Sequence, residues 1–320
     1  MSLPGPELQV RLAGLELATP LVLLSGCVGF GEELLTLDGF DCAQIGAICL
    51  KGTTLEPRRG NPPCRIVETH GGMLNAIGLQ NPGVRAVTGV ILPRLLERLA
   101  QHPHGRQVRL LANVAGATVP EYAEVARLFD DSPVDAIEIN ISCPNVKEGG
   151  VAFGSDPAMA ARVVAAVRAV TRKPVITKLS PNVTSIRAVA RAVAEAGTDG
   201  FAVINTLMGL AVDAATRRPV LGNVTGGLSG PAIKPVALLK VWEVFQEVRD
   251  QGLPIIGQGG IATATDAAEF LIAGATAVGL GTVLFQDALR PARINRDLAD
   301  FMARHGIARV ADLTGTLHIG

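Results

Sequence analysis

Five side chains suited to holding a flat, polar ring stand at the ends of short apolar runs in this 320-residue chain: Lys51, Asn113, Asn140, Lys178 and Asn205. A lysine brings a positive charge, and an asparagine both donates and accepts, so the set matches a heterocycle with amide edges or an anionic group. Ser25 ends a further run, and two glycine loops complete the series. Gly257-Gln258-Gly259-Gly260-Ile261 precedes a helical segment, and Gly279-Leu280-Gly281-Thr282 follows the last run. Backbone N–H groups in such loops bind phosphate. Residues 257–262 also read G-x-G-x-x-A, but no acidic residue lies about twenty positions on to take a ribose, so a mononucleotide-type phosphate fits better than a dinucleotide. Two chemistries place a lysine beside such a site. Lys178 or Lys51, desolvated, would serve a Schiff-base lyase as its amine. Alternatively, a cation near the N1 and O2 edge of an isoalloxazine would stabilise a reduced flavin. The amides, and the lack of carboxylates at the run ends, favour the flavin.

Cys143 supplies a titratable group. A thiol ordinarily ionises near pH ~8.5, within tuning range of neutrality, so Cys143 reads as a general base, followed by Pro144 and the lid-like Gly149 and Gly150. Cys27, Cys42 and Cys49 read as inert core thiols. Five cysteines with no C-x-x-C pair point neither to a disulfide framework nor to a metal cluster.

The elements that must bring these groups together follow a rhythm. Runs at residues 21–25, 45–51, 108–114, 134–141, 174–179, 200–205, 254–257 and 277–281 read as strands buried on both faces. Helical periodicity fills most gaps: residues 120–130, a segment from Asp156-Pro157 to Arg172, one opened by Thr184 and closed by Gly197, and residues 233–251, 263–274 and 291–305. Eight β-then-α units predict an α/β fold, a single (β/α)8 TIM barrel over residues 1–320, with its reacting groups at the carboxyl ends of the strands. Residues 8–17, turning at Ala13-Gly14, predict a hairpin that plugs the barrel's other end. Residues 53–82, rich in proline and glycine, read as a long functional loop. With 29 basic and 29 acidic residues and 48% apolar composition, disorder is excluded, and without a Lys/Arg run so is capture of nucleic acid. Apolar stretches fall short of the ~18 residues a membrane span needs, and residues 1–6 carry no secretory pattern, so a cytoplasmic address is expected.

Five stretches carry a family likeness. N-I-S-C-P-N-V-K-E-G-G at 140–150, N-A-I-G-L-Q-N-P-G at 75–83, K-L-S-P-N at 178–182, I-N-T at 204–206 and G-G-L-S-G-P-A-I-K-P at 226–235 resemble, in order, the class 1B dihydroorotate dehydrogenases, the catalytic subunit of the NAD-linked bacterial type. The resemblance implies an FMN-holding barrel that oxidises dihydroorotate to orotate, with Cys143 taking the C5 proton while the C6 hydride goes to flavin N5. It implies FMN contacts from Ser25, Lys51, Gly52, Asn113, Asn140, Lys178, Ile204, Gly230, Gly259, Gly260, Gly281 and Thr282. It assigns the substrate to Lys51, Asn75, Ala76, Ile77, Gly78, Leu79, Asn140, Asn205 and Thr206. It also implies a homodimeric core within a heterotetramer, whose second subunit carries FAD and a [2Fe–2S] cluster and passes electrons to NAD.

Overall fold

A computed structural model describes residues 5–141, 147–148 and 151–320; Cys143 lies outside the described residues, as do Gly149 and Gly150. All eight expected runs become strands of one closed parallel barrel: Leu21–Leu23, Ala47–Cys49, Arg109–Val114, Ala136–Asn140, Val175–Leu179, Gly200–Val203, Ile255–Gln258 and Ala277–Leu280. Each pairs with the next in chain order, and the eighth closes on the first through Val278 opposite Leu21. Apolar side chains on both faces suit this placement: one face fills the barrel, the other meets the helices, and nearly every strand residue is buried.

The helices start where short polar side chains satisfy otherwise unpaired amides. Thr118 accepts from Glu121 N ahead of helix Val119–Asp130, and Asp156 accepts from Met159 N ahead of Pro157–Arg168. Thr263 and Asp266 form a reciprocal capping box on Ala264–Ala273. Two expectations are corrected. Ser185, not Thr184, caps Ile186–Glu195, because its side chain is the one that accepts from Ala188 N. The first strand is followed by no α-helix: among the described residues only the 3-10 turns Leu34–Thr36 and Cys42–Gln44 stand there. Gly26, Gly29, Gly31 and Gly39, all at positive φ, turn the chain too often for a helix to propagate.

The N-terminal hairpin forms as expected, Val10–Leu12 antiparallel to Leu15–Leu17, with Ala13 and Gly14 at φ of 48° and 86°. Leu12 and Leu17 are fully buried, and the Glu16 carbonyl accepts from Arg109 Nε at 3.1 Å, at the start of the third barrel strand. A Cβ on Gly46 would come within 2.8 Å of Leu17 Cβ, so a glycine there lets the hairpin seat against the barrel's amino end.

Residues 53–82 are not the plain loop expected. Ile66–Thr69 and Gly72–Asn75 form a hairpin that joins Leu207–Leu210 and Thr225–Ser229 in a four-stranded antiparallel sheet. Its glycine-rich strands lack a period-two apolar pattern, and its central register, Gly227 opposite Asn75, links distant parts of the chain.

Leu17→Ala, which empties the plug, should cost about 2–5 kcal/mol, read as a lower midpoint in urea unfolding.

Candidate active site

The carboxyl ends of the barrel strands and the overlying four-stranded sheet enclose a cavity of about 290 Å³. Nearly every group singled out from the sequence meets there. The first two strands deliver Ser25, Lys51 and Gly52; the fourth, fifth and sixth deliver Asn140, Lys178, Ile204, Asn205 and Thr206. Gly259 and Gly260 come from the seventh strand end, Gly281 and Thr282 from the eighth, and Gly230 from the segment after the sheet. The sheet and the chain after it add Asn75, Ala76, Ile77, Gly78 and Leu79.

Asn113 is not on the wall. It is fully buried behind it, with Nδ2 donating to Glu138 Oε1 at 2.5 Å and Oδ1 accepting from Asn140 Nδ2 at 3.4 Å. A Cβ on Gly52 would lie 2.7 Å from Asn113 Oδ1, so the glycine lets Asn113 approach the cavity from behind. Cys143 belongs to the undescribed residues; the backbone leading to it is anchored by Tyr122, whose hydroxyl donates to the Asn140 carbonyl at 2.8 Å.

The glycine loops are built for close approach. Gly230, Gly259 and Gly260 have φ of 100°, 132° and 86°, and a Cβ on Gly260 would sit 2.8 Å from the Gly230 carbonyl oxygen. Asp266 Oδ2 accepts from the amides of Ala262 and Thr263 at 3.0 and 2.9 Å, while Lys234 Nζ donates to Asp266 and Glu269 at 2.6 and 2.8 Å. This carboxylate takes the amides of Ala262 and Thr263, just ahead of helix Ala264–Ala273, so an anion at the loop cannot use those two.

The electrostatics are one-sided. Burial holds the Lys51 ammonium below its ordinary value, with Cys27 opposing that shift and Lys178 adding to it. Burial pushes the Cys27 thiol up to about 11, against the pull of Lys178 and Lys51. Among the described residues one carboxylate is fully buried, Glu138, whose Oε1 lies 3.6 Å from Lys178 Nζ. A positive charge is left over among the described residues, which favours an anion. Gln258 adds a polar edge: its Nε2 donates to the Ile204 carbonyl at 2.9 Å, and its buried Oε1 has no hydrogen-bond partner among the described residues.

Glu138 and Gln258 were missed from sequence. The signal for Glu138 was a lone charged residue inside the apolar run 136–140, two positions before Asn140 and therefore on its face of the strand.

Comparison with known proteins shows the family. The family model described as Dihydroorotate dehydrogenase matches residues 7–302. The chain belongs to the dihydroorotate dehydrogenase family. It is accordingly an oxidoreductase of that family, as the sequence motifs implied. It is 50% identical over 313 residues to a Pelobacter propionicus protein named dihydroorotate dehydrogenase B (NAD(+)), catalytic subunit, covering 98% of this chain and 99% of that one. Proteins of the same name from Geobacter sulfurreducens and Shouchella clausii are each 50% identical, covering 98% and 97% of this chain and 99% and 98% of theirs. A crystal structure of DHODH from Eimeria tenella in complex with ferulenol shares the fold, with TM-score 0.80 at 24% identity, covering 98% of this chain and 91% of that one.

The depressed Lys51 fixes the sign of a pH effect in this dehydrogenase-family chain. Between its lowered value and the ordinary 10.5 the unfolded chain binds more protons at this lysine, so its contribution makes stability rise with pH in that window. Urea unfolding across that window should show a steeper rise for the ligand-free wild type than for Lys51→Met.

Proposed function

We propose that this chain oxidises dihydroorotate to orotate in pyrimidine biosynthesis, with FMN as resident cofactor and the whole chain, residues 1–320, as one FMN-binding domain. The observation that carries the reading is the convergence of Lys51, Lys178, Asn140, Asn205 and the two glycine loops on one cavity. The residues fit the cofactor on three counts. The glycine cradle at Gly230, Gly259 and Gly260 would be filled by a Cβ, the two lysines carry charge beyond the one carboxylate, and Gln258 Oε1 still has an acceptor to offer. FMN, when bound, supplies an electrophilic N5 that accepts the hydride from substrate C6.

The chain's own groups do the rest. Gly230, Gly259, Gly260, Gly281 and Thr282 would hold the phosphate end, with Ser25, Lys51, Gly52, Asn140, Lys178 and Ile204 along the ring and Asn113 steadying Asn140 from behind. Lys51 would pair with the substrate carboxylate. Asn75, Asn140, Asn205 and Thr206 would exchange hydrogen bonds with its amide edges, over the wall made by Ala76, Ile77, Gly78 and Leu79. Cys143 would take the C5 proton on its sulfur, which leaves the C5–H electron pair to form the ring double bond.

With no C-x-x-C pair in the sequence, onward electron transfer is assigned to a partner subunit bearing FAD and a [2Fe–2S] cluster, with NAD as final acceptor, in an assembly around a homodimer of this chain. No helix among the described residues is long and apolar enough to cross a membrane, and we place the assembly in the cytoplasm. The Schiff-base lyase is disfavoured because Lys178 Nζ is engaged by a buried carboxylate, Glu138 Oε1, at 3.6 Å, and because the strand ends offer amides where a lyase needs acid and base groups.

The purified protein should be yellow and should bleach anaerobically with dihydroorotate. Cys143→Ser should slow that bleaching by roughly 10²-fold or more at neutral pH while FMN stays bound; bleaching at the parental rate would exclude Cys143 as the base. Gly260→Ala, whose Cβ would collide with the Gly230 carbonyl, should lose FMN on gel filtration.

A further inference from the structure

Glu138 is the one fully buried carboxylate among the described residues. It stands opposite Asn113 on the third strand, and Lys178 on the fifth strand stands opposite Asn140. Three neighbouring strands thus set Asn113, Glu138 and Lys178 side by side. Glu138 Oε1 accepts from Asn113 Nδ2 at 2.5 Å and lies 3.6 Å from Lys178 Nζ, which reaches the cavity wall. Other described titratable groups that interact with Lys178 include Lys51 and the thiols of Cys27 and Cys49. None of them supplies a negative charge in its protonated form, and burial pushes both thiols up.

The fold alone does not call for a charge at this position. Burying a carboxylate is costly, and Asn113 would be equally well satisfied by a neutral acceptor. What only an anion supplies is an electrostatic hold on the Lys178 ammonium.

We propose that Glu138, a positioning residue that acts through Lys178, offsets that lysine's charge at the cavity wall and so sets how readily the flavin there accepts electrons. This rests on the FMN reading above. Charge near a flavin's ring acts on its electron-rich reduced form more than on the oxidised one, so the effect shows in the reduction potential.

The test is anaerobic dye-equilibration titration of the FMN-loaded protein. Glu138→Gln keeps an oxygen for Asn113 but removes the charge, so the potential rises and sulfite, an anion that adds to flavin, binds roughly tenfold tighter. Glu138→Asp keeps the charge but withdraws it by about one carbon–carbon bond, ~1.5 Å, and gives a smaller rise. An ascending order of wild type, Asp and Gln supports the proposal. An unchanged or lowered potential in whichever variant holds FMN overturns it, and if the Gln variant does not fold the Asp variant decides alone. A purely structural role lowers thermal stability and FMN content without moving the potential, and loss of FMN from both variants likewise overturns the proposal. Wild-type protein that carries no FMN or is not reduced by dihydroorotate overturns the proposed function itself, an outcome read before either variant is made.

Discussion

Eight parallel strands closed into a ring have their carboxyl ends on one rim, and everything else in the site depends on that constraint. Residues as far apart in the chain as Ser25 and Thr282 become neighbours because Val278 pairs with Leu21 and shuts the barrel. In an open sheet the first and last strands would be its two far edges. Closure also buries both faces of every strand, so the polar groups at the rim are held by rigid backbone on a dry core.

The rim carries an unbalanced charge in a confined space. Lys51 and Lys178 both face the cavity, and Glu138 answers only one of them. Such an arrangement is unfavourable for the empty barrel and favourable for an anionic ligand, since binding supplies the missing counter-charge. Burial displaces Lys51 below its ordinary value, with Lys178 adding to the shift, and pushes Cys27 up against the pull of the two lysines.

Above the rim, the four-stranded sheet and the glycine loops convert an exposed ring of side chains into an enclosed site. The sheet draws one hairpin from the insertion after the second strand and two strands from the segment after the sixth. Glycine at positions 230, 259 and 260 permits both the left-handed backbone and the close packing of those segments, which a Cβ at any of them would prevent. Lys234, Asp266 and Glu269 brace the glycine loop from outside.

Local patterning was enough for the repeating part of the molecule. Each barrel strand is a short apolar run and each later helix an amphipathic one with its own cap, so the strand positions and the rim residues Lys51, Asn140, Lys178 and Asn205 were legible from residue order. The family motifs were legible for the same reason, being contiguous. What the chain order could not show was anything decided by contacts between distant segments. The sheet over the mouth exists because Asn75 pairs with Gly227, and Asn113 stands behind the wall because Asn140 and Glu138 fill the positions beside it. Glu138 drew no notice inside the apolar run 134–141; the pairing of the fourth and fifth strands brings Lys178 within 3.6 Å of it. Residue type and spacing determined which groups reach the rim, through the short-range physics of strand and helix. Only the tertiary structure decided which of them touch the cavity and which of them act through a neighbour, because burial and charge pairing are properties of the packed chain.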